Sequence, residues 1–468
     1  MKGRKHKILA DSNSYPNMTS TECEKYWGAQ TFIDIIENNL VEVTLTESTL
    51  MEEIFSDTNL NLAYKQIMRN KGAGGVDKMG VDELLPYLRA NKDELLSSLF
   101  NGKYTPNPVR RVEIPKGNGK LRPLGIPTVV DRLIQQAITQ VLTRIYNHRF
   151  SNWSYGFRPQ RGCHDALRKV QDHVNQGYKY AVDLDLEKFF DTVNHSILIR
   201  LLSKTIKDNR IISLIHKYLN AGVLKQGVFT RTTTGVPQGG NLSPILSNII
   251  LNELDKELAR RGHKFVRYAD DCMILLKSKK SAERVMHSIT RFIESKLRLK
   301  VNKEKTKFGY IRGMKFLGYS FYVKNGKCRL GLHKTSLQKM KSKLKEITSR
   351  SNGMGYKTRK RTLKQYIQGW INYYCLADMK STLKRIDEWL RRRLRMCMWK
   401  YWKKIKTKFE NLIKCGIDKQ KSWEWANTRK SYWRTAKSPI LHRAITANKM
   451  RQAGYTFLSD CYSKYYRN

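Results

Sequence analysis

Apolar residues recur along the chain with two different periods. The run "DTNLNLAYKQIMRNKG" (57–72) places Leu60, Ala63, Tyr64 and Ile67 on one helical face, with Gly72 as its stop. "TLME", Thr49 to Glu52, has capping-box spacing just before it. The period then falls to two, and "RRVEIPKGNGKLRPLGIP" (110–127) predicts two short strands about a Gly-Asn-Gly turn. A helix near 130–148, a strand over 179–186, helices through 195–221 and a hairpin over 265–276 follow. These pieces mix without strict β-α-β alternation, which predicts an α+β fold with an antiparallel sheet. Past residue 330 the helical period returns and persists. "KSTLKRIDEWLRRRLRMCMWKYWKK" repeats Leu383, Ile386, Leu390, Leu394 and Met398 down one seam.

Two of the extended stretches carry acids where an apolar pattern would otherwise run on. "FVRYADDCMIL" (265–275) sets Asp270 beside Asp271. Neighbouring strand residues point to opposite faces, so the pair is expected at the tip, between "FVRYA" and "CMILL". Ionised carboxylates this close repel, and a hard divalent cation with oxygen ligands relieves the repulsion. In "YAVDLDLEKFFDTVNH" (180–195), Tyr180, Val182, Leu184 and Leu186 alternate on one face; Ala181, Asp183, Asp185 and Glu187 line the other. A carboxylate from this strand would complete a set able to seat two magnesium ions about 3.5–4 Å apart, an arrangement suited to in-line nucleotidyl transfer. Taken alone, the Asp pair also suits a solvated turn, and Asp183 and Asp185 a water-facing edge.

Charge narrows the partner. The 468 residues hold 89 Lys+Arg against 40 Asp+Glu, a formal charge of +49. Self-repulsion on that scale calls for a polyanion. Basic residues alternate with Trp and Tyr, which favours nucleic acid over a membrane surface. Residues 331–468 carry 35 basic and 8 acidic residues, whereas 11–58 carry ten acids and one base, Lys25. The eight cysteines form no CxxC pair, so reduced thiols are expected rather than disulfides or zinc. With no 18-residue apolar run and no signal-peptide core in "MKGRKHKILADSNS", a cytoplasmic protein without a membrane partner is expected.

The motifs also come in a telling order. "RRVEIPKGNGKLRPLGIP", "SYGFRPQRG" (154–162), "DLEKFFDTVNH", "GVPQGGNLSPILSNIILNELD" (235–255), "YADD", "LKVNKEKT" (299–306) and "FLGYSF" (316–321) follow one another. Over about 50–325 this succession resembles a reverse transcriptase. "IMRNKGAGGVD" (67–77) and "GWINYY" (369–374) are similar to the N-terminal extension and maturase-type thumb of bacterial group II intron-encoded reverse transcriptases, of the type lacking an HNH endonuclease domain. The resemblance implies a right-hand polymerase: fingers and palm with an antiparallel sheet, then an all-helical thumb and a basic C-terminal helical region. Its divisions are an acidic tail at 1–45, an extension with fingers and palm at 46–330, a thumb at 331–405 and a basic DNA/RNA-binding region at 406–468. It implies an RNA-directed DNA polymerase using dNTPs and two Mg²⁺ ions, with Mn²⁺ as substitute, that doubles as a maturase in intron splicing and mobility. Intron RNA, a template–primer duplex and target DNA are its implied partners, with the protein cytoplasmic and nucleoid-associated when bound to DNA. A defence or repair reverse transcriptase and a splicing-only RNA-binding cofactor are the rival readings.

Carried onto this sequence, the resemblance makes Asp185, Asp270 and Asp271 the metal-binding triad, with the Leu186 carbonyl as an extra ligand. Alignment on "FFD" favours Asp185 over Asp183. Lys116 and Arg122, on opposite arms of the Gly turn, resemble the residues that grip the nucleotide triphosphate, and their cationic heads suit a polyphosphate. Gln238 matches the position that packs on the incoming nucleotide, with glycines beside it for close backbone approach. Phe190, with Phe189 adjacent, matches the bulky residue that excludes a ribose 2′-OH. Tyr268 is assigned to the primer terminus or to strand packing. Phe316, Leu317, Gly318 and Tyr319 resemble a primer grip. Trp370, Tyr373, Tyr374, Arg391, Arg392, Arg393 and Arg395 are the expected nucleic-acid contacts of the thumb.

Overall fold

A computed structural model of the chain describes residues 50–115 and 121–465. The acidic stretch before residue 50, the Thr49 cap, the Gly-Asn-Gly turn and Lys116 lie outside them. The chain divides into two compact units, the first ending at Arg329 and the second taking up at Leu330.

The first unit is built around the helix Val129–Asn147, buried along most of its length. Thr128 caps it by accepting from the Asp131 amide. Against it packs the helix Asp57–Asn70, where the buried Asn59 donates to the carbonyls of Ala137 (3.1 Å) and Ile54 (2.7 Å). This helix stops one residue earlier than its glycine suggests: Lys71 takes the left-handed conformation, φ +45°. The chain turns there so that Gly72 and Ala73 pass beneath Arg132, which donates to the Ala73 carbonyl at 2.8 Å.

Strands β1 (Val109–Pro115), β2 (Leu121–Ile126), β3 (Tyr180–Leu184), β4 (Val223–Lys225), β5 (Val228–Thr230), β6 (Lys264–Tyr268), β7 (Asp271–Leu276) and β8 (Lys307–Tyr310) form two four-stranded sheets. One has the order β2-β1-β4-β5, the other β6-β7-β3-β8. The second sheet is antiparallel throughout. The first is antiparallel except for β1 with β4, which pair in parallel at Val109↔Val223. That pair joins segments more than a hundred residues apart, and local patterning carries no trace of it. Strands β9 (Lys315–Phe316), β10 (Tyr319–Lys324) and β11 (Lys327–Leu332) make a third sheet.

Beyond β11 the described chain is helical. The seam Leu383, Ile386, Leu390, Leu394 and Met398 of the helix Lys380–Tyr401 is buried throughout, as its period predicts. Asp387, also buried, accepts from the amides of Leu458 and Ser459 and so fastens the helix Leu458–Tyr465. The seven described cysteines are free thiols. No helix among the described residues is long and apolar enough to cross a membrane.

Candidate active site

The hairpin of β6 and β7 is tighter than the pattern suggests. Tyr268 pairs with Asp271, so the turn consists of Ala269 and Asp270 alone, and Asp271 already belongs to β7. Ala269 takes φ +56°, a left-handed conformation uncommon for a residue with a side chain. Next door, β3 pairs with β7 as far as Leu184↔Cys272. One step further, the same register sets Asp185 level with Asp271. Directly opposed residues of an antiparallel pair share a face, with Cβ atoms about 4.5–5.5 Å apart.

Asp185 is itself strapped in place. Its amide donates to Thr306 Oγ1 at 3.2 Å, and its carbonyl accepts from the Asn302 amide at 2.9 Å. Leu186 bridges Val301, and the Glu187 amide donates to the Lys300 carbonyl. The segment quoted above as "LKVNKEKT" is thus what holds the end of the strand. It also brings Lys305 Nζ to 3.4 Å from Asp185 Oδ1. Asp183 lies within the ladder, opposite Met273 and Lys307, one pair back from the sheet end. Among the described residues, no three His, Cys, Asp or Glu side chains stand close enough to hold an ion as placed.

Strand β2 and the loop carrying Gln238 meet. Arg122 Nε donates to Gln238 Oε1 at 3.2 Å, and the Gly125 amide donates to the Gln238 carbonyl at 2.7 Å. Gly239, at φ +113°, lies so close that a Cβ on it would sit 2.6 Å from the Gly125 carbonyl oxygen. Three residues earlier, the Val236 amide donates to the Phe190 carbonyl at 2.6 Å. The two phenylalanines separate cleanly: Phe189 is core, whereas Phe190 is only partly buried. His195, to which the sequence reading assigned no role, meets the Gly235 carbonyl through Nε2 at 2.7 Å. A carbonyl accepts, so the proton sits on Nε2; burial lowers the pKa and keeps the ring neutral.

Other assignments look different in three dimensions. Tyr268, Phe316, Leu317 and Tyr319 are all buried. Phe316 pairs with Tyr319 across a turn in which Leu317 (φ +50°) and Gly318 (φ +80°) are both left-handed. This is the tight turn of a two-residue hairpin, with the side chains of Phe316, Leu317 and Tyr319 buried. In the second unit Trp370 and Tyr374 are core, with ring centroids 4.6 Å apart, and Tyr373 is half-buried. Arg391 lies over the Phe457 ring. Arg392 stacks on Trp433 at 3.8 Å, and Arg393 donates to Thr348 Oγ1 at 2.6 Å. Arg395 is buried, donates to the Ile445 carbonyl and has its pKa lowered by burial to about 10. These arginines bind the unit's own helices together. Solvent instead meets Lys357, Arg361 and Lys364 on the helix Tyr356–Tyr374, and Lys384 and Arg385 on the next. The three-to-four spacing of Lys357, Arg361 and Lys364 was the available signal. Tyr401 (67%) and Trp423 (59%) are the most exposed large aromatics described.

Acidic residues thus stand at the end of one antiparallel strand and at the tip of the neighbouring hairpin, and a glycine-bearing loop is tied to the basic strand β2. Residues 114–321 match the reverse transcriptase (RNA-dependent DNA polymerase) family, and 337–416 match the group II intron maturase-specific domain. Protein YkfC of Escherichia coli is 36% identical over 306 residues, covering 57% of this chain and 80% of that protein. The group II intron-encoded protein LtrA of Lactococcus lactis subsp. cremoris is 34% identical over 330 residues, covering 56% of this chain and 55% of that one. A putative COX1/OXI3 intron 2 protein of Saccharomyces cerevisiae is 28% identical, covering 75% of this chain and 51% of that one. The chain belongs to the group II intron-encoded reverse transcriptases: an RNA-directed DNA polymerase domain joined to a maturase domain.

Proposed function

We propose that the protein extends a DNA primer on an RNA template by two-metal nucleotidyl transfer, and that it also assists splicing and mobility of a group II intron. The observation that carries the first part is the β3–β7 ladder, paired as far as Leu184↔Cys272, whose register carried one step on sets Asp185 level with Asp271 beside the turn holding Asp270. The residues fit a hard divalent cation: Asp185, Asp270, Asp271 and the Leu186 carbonyl would hold Mg²⁺ through oxygen alone. Asp185 already draws a cation, the Lys305 ammonium. Bound there, Mg²⁺ supplies activation of the attacking oxygen and charge neutralisation at the leaving pyrophosphate.

The chain's own groups do the rest. Arg122 offers a forked donor to the triphosphate, and its contact with Gln238 keeps fingers strand and loop in step. Gly239 lets that loop lie flat against β2. Phe190, partly exposed and bonded through its carbonyl to the Val236 amide of the same loop, would exclude a ribose 2′-OH. The β9–β10 turn would meet the primer through its backbone. Intron RNA, a template–primer duplex and target DNA are proposed partners of the exposed bases Lys357, Arg361, Lys364, Lys384 and Arg385, which suit phosphate contacts that bind without reading sequence. The intron-encoded relatives support an RNA partner of that kind.

Primer extension on poly-rA/oligo-dT tests the proposal. Mg²⁺-dependent synthesis by the parent, lost in Asp270→Asn, is expected; no synthesis by the parent overturns it. Sequencing of co-purified RNA tests the maturase part, for which intron RNA is expected and its absence from the bound RNA contradicts the reading.

A further inference from the structure

Behind the candidate site sits a buried ionic group that the chemistry above does not use. Arg267 lies in β6, and its side chain is fully buried. It grips Asp255, equally buried, through Nε to Oδ1 (2.8 Å) and Nη2 to Oδ2 (2.6 Å). Its Nη1 donates to Asn248 Oδ1 (2.9 Å) and to the carbonyl of Ala269 (3.0 Å). Asn248 in turn donates to the Gly156 carbonyl at 2.9 Å. Gly156 presses on the same turn from the other side, where a Cβ would come within 2.2 Å of the Ala269 nitrogen. The backbone of 153–155 runs beside β6, with Arg267 N donating to Trp153 O and Tyr155 N to Arg267 O, each at 2.9 Å.

A buried ion pair adds little net stability compared with apolar side chains of the same volume, so this one calls for another reason. The geometry names it. Ala269 is in the left-handed region, a conformation that persists only where surroundings over-determine it. Arg267 pairs with Cys272, and Tyr268 with Asp271, so the guanidinium and the Asp271 carboxylate leave the hairpin on opposite faces. We infer that Arg267, Asp255 and Asn248 are positioning residues: a clamp that grips the Ala269–Asp270 turn from behind and holds the Asp270 carboxylate, with Asp271 at the strand end beside it, where metal and nucleotide must meet. The role rests on the synthetic function proposed above for those carboxylates.

The test uses the full chain with Arg267→Lys, which keeps a charge beside Asp255 but loses the fork, and Asn248→Ala, which keeps the ion pair and cuts its link to Gly156. Misplacing a reacting group by about 1 Å is enough to cost on the order of 100-fold in rate. Arg267→Lys should therefore lose kcat on that scale, need several-fold more Mg²⁺ for half-maximal synthesis and regain part of the rate with Mn²⁺. Its KM for dNTP should stay close to the parent's, while its Tm falls, because lysine leaves Asn248 Oδ1 and the Ala269 carbonyl without their buried donor. Amide hydrogen exchange over 265–275 should quicken in both variants while exchange in the helix Val129–Asn147 does not. A folded Arg267→Lys with parental kcat and Mg²⁺ demand would overturn the clamp. So would unchanged exchange at the turn in Asn248→Ala, which decides the matter if the lysine variant fails to fold. Exchange reads the turn whether or not the parent makes DNA, so a silent parent would count against the proposed function and not against the clamp.

Discussion

Replacing Gly239 with alanine perturbs the candidate nucleotide site at one atom. The residue sits at φ +113°, and its added Cβ would lie 2.6 Å from the Gly125 carbonyl oxygen, which belongs to backbone and cannot swing away. The conformation itself costs an L-residue about 1–2 kcal/mol. Relief of the clash pushes the loop off β2 and breaks the bond from the Gly125 amide to the Gln238 carbonyl, worth about 0.5–1.5 kcal/mol. The first unit should thus lose roughly 2–3 kcal/mol, which at 2–4 °C per kcal/mol is a fall in Tm of roughly 5–10 °C. Arg122 and Gln238 part at the same time, and losing one charge-assisted contact to the triphosphate raises the dNTP KM about tenfold or more. Scanning calorimetry and steady-state primer extension over a dNTP series read the two effects. A Gly239→Ala protein with parental Tm and parental KM would show that loop and strand are not coupled as described.

Other predictions follow from the same geometry. Asp185→Asn and Asp271→Asn should each abolish synthesis by several kcal/mol of barrier, on the order of 1,000-fold, while RNA affinity in a filter-binding assay stays unchanged. His195 is buried and neutral, its pKa held below the ordinary 6.5. The unfolded chain takes up a proton at about that pH which the folded site refuses, so the histidine's contribution is full above 6.5 and is lost as pH falls toward the lowered folded value. Urea unfolding from pH 5 to 7.5 should therefore show a shallower acid slope for His195→Asn than for the parent. Trp423→Ala removes an exposed aromatic beside lysines and should weaken single-stranded RNA binding by about 1–3 kcal/mol if bases stack on it. Lys384→Gln should lower the salt slope of RNA binding by about one.

Sequence reached the strands and the acids but not their exact hinges. Alternation made β3 and the β6–β7 hairpin plain, and a run of apolar residues flanking two acids demanded a turn. It placed that turn on the two aspartates because alanine carries no turn preference; the tip falls one residue earlier, with Ala269 at positive φ, its carbonyl accepting from Arg267 and Gly156 packed against its nitrogen. The same blindness put a helix stop at Gly72 when Lys71 takes the left-handed position. In the basic helix Lys380–Tyr401, one seam was legible and the arginines were assigned to nucleic-acid contacts. Later helices pack on a second side, so Arg392 and Arg395 meet Trp433 and Ile445, partners forty to fifty residues downstream that periodicity cannot foresee. Arg267 itself was quoted as part of an apolar strand; nothing local announces that Asp255, on the preceding helix, neutralises it.

The central claim is that Asp185 joins the hairpin tip in one cation-holding group. Anomalous scattering from Mn²⁺ in a complex of the protein with an RNA–DNA primer duplex and a non-hydrolysable dNTP tests it most directly. Manganese bounded by the carboxylates of Asp185, Asp270 and Asp271 is the predicted result. Manganese bound elsewhere, with those three side chains turned to separate surfaces in the same complex, would contradict the account.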